Sequence, residues 1–229
     1  MRWPGLAAVF VSVTLASPAG ALPLKAARAR VAILGLELDE AERILGTDDE
    51  SPDVVVERAR LAIYRADCDT AVELLELPDL EDEEDYPFLY EIAKGCARAS
   101  AATVIVEDRE RGVWVRFQDD ADRALFPLIA DNVVRMRDVL EKDLGKRLPD
   151  PVRIDLLRDQ LSLSAHSGLP ERSAQTTGTV AVAKWGRVMM LSPRASSRGY
   201  PWLDTLAHEM THLVLSQATR DKAPLWLQA

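Results

Sequence analysis

Residues 208–212 read His-Glu-Met-Thr-His, the pattern His-Glu-x-x-His. On a helix, residues four apart lie one turn apart on one face, so two imidazoles at that spacing can ligate a single ion. Glu209, one residue past the first histidine, reaches a water beside the metal rather than the metal itself. The chemistry this trio suits is zinc-assisted hydrolysis, with His208 and His212 as ligands and Glu209 as general base. A catalytic zinc takes three protein ligands. Asp204 and Asp221 are the nearest acids with reach. Asp204 is rotated about 40° from His208 on a helix and has a short side chain, so it is a poor ligand. Asp221 falls in the loop nine residues after His212. The third histidine, His166, sits in a Ser/Leu-rich segment. It reads as a surface or core histidine, with transition-state stabilisation as the other role.

The helix expected over residues 200–217 has to aim these groups. At about 100° per residue, Leu203, Leu206, Met210, Leu213 and Val214 form one apolar stripe. His208 and His212 fall roughly opposite it, with Thr205 and Ser216 on their face and Glu209 flanking. One face therefore packs into a core while the other looks into a cleft. Two incidental histidines on a surface helix is the bland reading. Their avoidance of the apolar stripe argues against it.

Upstream, ATVIVEDRERGVWVRF is β-branched and aromatic and predicts a hairpin about Arg109–Gly112. Residues 121–145 predict a long amphipathic helix closed by Gly145. VRIDLLRD predicts a strand, and residues 160–170 a short helix or loop. TTGTVAVAKWGRVMMLSP predicts a second hairpin turning at Lys184-Trp185-Gly186-Arg187. Its segment Gly178–Ala181 is small or β-branched and would suit an edge strand beside the cleft. Hairpin, helix, strand, hairpin and helix in that order predict an α+β architecture.

The first hundred residues differ in kind. VVVERARLAIYRADCDTAVELLEL predicts a helix, a tight turn at Asp67-Cys68-Asp69 and a second helix. This hairpin resembles one unit of the tetratricopeptide type, with Leu61, Tyr64 and Ala71 near the positions that type uses. Such a unit needs neighbours to cover its face and could serve a protein partner. Seven acids between Glu76 and Asp85 read as a solvated loop; a calcium site there lacks the EF-hand spacing and glycine. Residues 88–100 predict another helix. The expected division is a helical region over 22–100 and an α+β domain over 101–229.

At its start the chain carries Arg2, an apolar run from Leu6 to Ala16 and Ala19-Gly20-Ala21. That pattern predicts a signal peptide over residues 1–21, with an uncleaved anchor as the alternative. Export, to a periplasm or outside the cell, would place Cys68 and Cys96 where disulfides persist. They are a disulfide candidate; two separately buried thiols is the other reading. Past residue 21 no segment approaches eighteen apolar residues, so the mature chain is not expected to span a membrane. The formal charge of −9 argues against nucleic acid as a partner.

From about residue 101 onward the chain resembles the gluzincin metallopeptidases, in particular the bacterial peptidase MA-like domains. The resemblance rests on HEMTH followed by Trp226-Leu227. It implies a zincin-like domain with a small sheet and an active-site helix, zinc as cofactor, and a peptide or protein substrate. It also implies an exported peptidase in which Glu209 activates the attacking water. In that family the segment Trp-Leu-x-Glu-Gly supplies the third zinc ligand. Here Ala229 stands in the glutamate's place, so the expectation is a domain incomplete at its C-terminus and inactive as residues 1–229. A degenerate domain that serves as a non-catalytic scaffold or binding protein is the competing expectation.

Overall fold

The computed structural model describes residues 23–170, 172, 176–220 and 222–224. The expected signal peptide, Asp221 and the segment Trp226–Ala229 lie outside the described residues. Five helices come first: α1 (Leu24–Leu34), α2 (Leu38–Leu45), α3 (Pro52–Tyr64), α4 (Cys68–Leu75) and α5 (Tyr86–Ser100). Then follow β1 (Val104–Asp108), β2 (Val113–Phe117), α6 (Phe126–Leu144), β3 (Val152–Leu157) and α7 (Gln160–Ser167). The chain continues through β4 (Ala181–Lys184), β5 (Arg187–Leu191) and α8 (Trp202–Thr219). Pro127 sits in the first turn of α6, where its missing N–H has no helical partner to lose, and Gly145 closes the helix in the left-handed region.

The strands form one sheet in the order β1-β2-β3-β5-β4. Both predicted hairpins are antiparallel, while β2, β3 and β5 run parallel to one another. Each face of the sheet is covered. On one, Val115, Ile154, Leu156, Val188 and Met190 pack against Ile129 and Val133 of α6 and Leu206, Met210 and Leu213 of α8. On the other, Leu157, Met189 and Leu191 share a core with α1–α5 and Leu163 of α7. No helix among the described residues is long and apolar enough to cross a membrane.

The helical region holds two matching hairpins, where the helical pattern above predicts one. Arg28/Arg58, Ala29/Ala59, Arg30/Arg60, Ala32/Ala62, Ile33/Ile63, Asp39/Asp69, Ala41/Ala71 and Leu45/Leu75 are identical pairs thirty residues apart. The turns match as well: Leu36 and Ala66 both adopt positive φ, and Glu37 and Asp67 each donate a backbone hydrogen bond five residues back. The alanines are buried and let the helices approach. Glu57, fully buried, accepts from Arg30 and Arg60, and both arginines also pair with Asp85. The acidic loop is therefore fastened to both repeats at its last residue.

Cys68 of α4 and Cys96 of α5 are disulfide-bonded, with Cα atoms 5.8 Å apart. The bond staples the second repeat to α5. By restricting the unfolded chain over a separation of 28 residues, it stabilises by roughly 2–4 kcal/mol. Replacing both cysteines with alanine is expected to lower unfolding free energy by that amount, as read from urea denaturation. An unchanged midpoint would show that the staple constrains nothing.

Between α5, α7 and the sheet lies a buried polar cluster. Arg116, Asp155 and Arg187 project from the three central strands towards the helical layer. Arg116 donates to the carbonyl of Ala66, in the turn of the second repeat, and to Ser100 Oγ. Arg187 Nη2 lies 3.4 Å from Cys96 Sγ. His166 is fully buried beside them, with Nδ1 3.1 Å from the Ser162 carbonyl and Nε2 3.4 Å from Ser100 Oγ. Of the two placements read for it, the core is the one found.

Burial pulls the His166 pKa down to about 4, against the opposing pull of Asp155. The imidazole is thus neutral in the folded chain, whereas an unfolded histidine protonates near 6.5. Its contribution to stability is whole above about pH 6.5 and is lost as pH falls from there towards 4, on the order of 3 kcal/mol in all. Denaturant titrations between pH 7 and 4.5 should show this slope in the wild type and a shallower one in His166→Gln. Equal slopes would place the loss on other groups.

Candidate metal centre and cleft

α8 runs under the edge of the sheet. Of its stripe, Leu206, Met210, Leu213 and Val214 are buried and Leu203, in the first turn, is half-buried. On the far side His208 is exposed and His212 half-buried. Their Nε2 atoms lie 3.0 Å apart and their rings meet edge to face. Two nitrogens on one tetrahedral zinc, each about 2.0–2.1 Å from the ion, are about 3.3 Å apart. The pair is within a few tenths of an ångström of that spacing, and in the structure the contact is a hydrogen bond between the two rings.

Glu209 is only 8% exposed, because β4 lies across it. β4 is an edge strand, bonded to β5 alone among the described strands. Leu191 N–H donates to the Val180 carbonyl, so the antiparallel alternation directs the backbone of Val182 and Lys184 towards β5. Ala181 and Ala183 then turn their backbone groups outward. The Ala183 N–H donates to the Glu209 carboxylate. Burial raises the Glu209 pKa, partly offset by the charge of His208 and by this hydrogen bond. Burial also lowers the His212 pKa, and the neighbouring His208 charge lowers it further.

These groups line a cleft of about 280 Å³ with Ala181, Val182, Ala183 and Ser216. The sequence predicts a hairpin over residues 178–191, but its first strand begins only at Ala181. Gly178 takes a positive φ and the Thr177 and Thr179 hydroxyls bond to each other, so the ladder starts only after that turn. Asp204 is exposed in the first turn of α8. No group of three or more potential metal ligands occurs among the described residues, so Asp204 does not join the histidines. The role of Ala183 as a partner of Glu209 has no local sequence signal, because it depends on how two distant elements cross.

What the arrangement can do is set by these positions. Two converging imidazole nitrogens offer a cation site open to solvent. A carboxylate held beside them by a backbone N–H, with its pKa raised, can accept a proton from a water at neutral pH. An outward-facing strand edge can pair with an extended chain. No protein-family profile, curated protein or solved structure that was compared matches this chain.

Proposed function

We propose that the chain carries the metal-binding and proton-transfer half of an exported zinc peptidase of the gluzincin, peptidase MA-like type. The observation that carries this reading is the convergence of His208 and His212 Nε2 at 3.0 Å beside Glu209, which is itself fastened to the edge strand. Zinc held by the two histidines would supply Lewis acidity, acidifying water and polarising the scissile carbonyl. Glu209 takes the proton of the attacking water and returns it to the leaving nitrogen. The Ala183 N–H holds the carboxylate in place for both transfers. The outer edge of β4, with both backbone groups of Ala181 and the carbonyl of Ala183, receives the substrate backbone as an added strand. The disulfide accords with export.

A second reading, a non-catalytic binding protein that uses the same cleft, draws on the two ligand nitrogens being the only ones gathered there among the described residues. Turnover separates the two. The zinc-loaded chain, continued as Trp-Leu-Gln-Glu-Gly so that the family's third ligand is present, is incubated with a mixed peptide library, and new termini are read by mass spectrometry. New cleavages, lost on chelation and restored by zinc, are expected for the peptidase. Peptide binding with no new termini would leave the binding protein.

A further inference from the structure

The Cys68–Cys96 bond lies against the buried polar cluster, and that cluster does not balance its own charge. Arg116 and Arg187 bring two positive charges and Asp155 one negative. His166 is neutral and adds none. The cluster is one negative charge short, in a place where an uncompensated charge is costly. The shortfall is visible at Arg187. This side chain is fully buried, and its Nε and Nη1 find no hydrogen-bond acceptor among the described residues. Its Nη2 donates to Cys96 Sγ. A bonded sulfur is a weak acceptor and carries no charge.

We infer that Cys68–Cys96 is a redox-active disulfide, in which a dithiol reductant delivers two electrons and Cys96 is left as a thiolate beside Arg187. The site belongs to the helical layer and stands apart from the peptidase reading. A thiolate of the reductant attacks Cys68 Sγ, and the Cys68–Cys96 bond breaks with the electron pair going to Cys96. The second thiol of the reductant then displaces Cys68 and closes the reductant's own disulfide. The dithiol gives up two protons. Cys68 takes one, and the other enters solvent because Cys96 keeps its charge. A sulfur that is stable as a thiolate is also the better leaving group, so the cluster determines which of the two departs.

The groups that face Cys96 favour its anion. From the sheet come Arg116, Asp155 and Arg187, with the half-buried Arg153 adding a positive charge that Arg187 also feels. From α7 comes His166, reached through Ser100 Oγ, which is 3.8 Å from Cys96 Sγ and 3.4 Å from His166 Nε2. Neither α4 nor α5 contributes a buried charged side chain, and Asp67 and Asp69 beside Cys68 are exposed. Glu57 and Arg60 of α3 pair with each other and with Arg30 and Asp85. Cationic neighbours bring a thiol from about 8.5 down to about 3.5–7.5. Reduction thus releases α4 from α5 while Cys96 stays anchored to Arg187 of β5.

The test equilibrates the full chain with reduced and oxidised dithiothreitol between pH 6 and 8, with acid trapping and a count of protein thiols. The exchange constant towards reduced protein should rise with pH, approaching about tenfold per unit, because each reduction releases one proton. In Arg187→Met, which leaves Arg116 and Asp155 as a balanced pair, it should be flat. Ultraviolet absorbance of the reduced wild type follows the thiolate directly and should half-titrate below about pH 7.5. That measurement needs no variant, so it decides the matter even if Arg187→Met does not fold. A wild-type exchange constant independent of pH, a thiolate that forms only near about pH 8.5, or equal slopes in the two proteins would overturn the inference.

Discussion

In a chain given the family's third ligand by Ala229→Glu followed by glycine, replacing Glu209 with glutamine should lower peptide hydrolysis by about 10²–10⁴-fold while leaving zinc affinity within about threefold, as expected for loss of a general base. The amide keeps the shape of the carboxylate, and its oxygen can still accept from the Ala183 N–H. What it loses is basicity. In the wild type, burial raises the Glu209 pKa, which makes the carboxylate a stronger base than one in open water. The two readouts, zinc competition and initial rate, separate roles that a single assay would merge. Loss of zinc together with activity would make Glu209 a ligand and refute its assignment as base.

The second large effect lies far from the cleft. Asp155→Ala is expected to destabilise the fold by about 3–5 kcal/mol, because it strands two buried guanidinium groups. Arg187 is fully buried and faces Asp155 Oδ2 at 3.3 Å; Arg116 faces Oδ1 at 3.4 Å. Burial already lowers the Arg187 pKa and Asp155 raises it again, so the carboxylate is what permits the charge to remain there. Against a typical domain stability of about 5–15 kcal/mol, this is a large share. The triple change Arg116→Met, Asp155→Leu, Arg187→Met should cost far less, since no charge is left unpaired. Urea denaturation of the single and triple variants measures both. A single-variant loss below about 1 kcal/mol would show that water reaches the cluster.

The sequence and the structure agree where the signal is local. The HEMTH spacing and the apolar stripe of α8 fixed which way the histidines and the core residues face, because both follow from 3.6 residues per turn. The two hairpins were legible from β-branched runs and their Gly-containing turns. The cysteine pair was legible as a candidate from parity and expected export, while its bond needed the meeting of α4 and α5. The parallel arrangement of β2, β3 and β5 was not legible, since pairing partners lie dozens of residues apart. For the same reason Asp155 read as one polar residue in a strand, although VRIDLL does interrupt its apolar run there. The tandem repeat was present in the sequence, as eight identities at a spacing of thirty. Gly35 and Leu36 stand where the second hairpin has Arg65 and Ala66, which disguised the equivalence of the turns.

The two imidazoles carry the central claim, that His208 and His212 bind one zinc ion. Zinc competition against a colorimetric chelator, run on the wild-type chain and on His208→Ala and His212→Ala, tests it directly. One zinc per wild-type chain is expected, with each single variant weakened by at least about 10–100-fold, the loss seen when even outer-shell partners of a metal site are removed. Zinc binding of equal strength in all three proteins, or none in the wild type, would contradict the account.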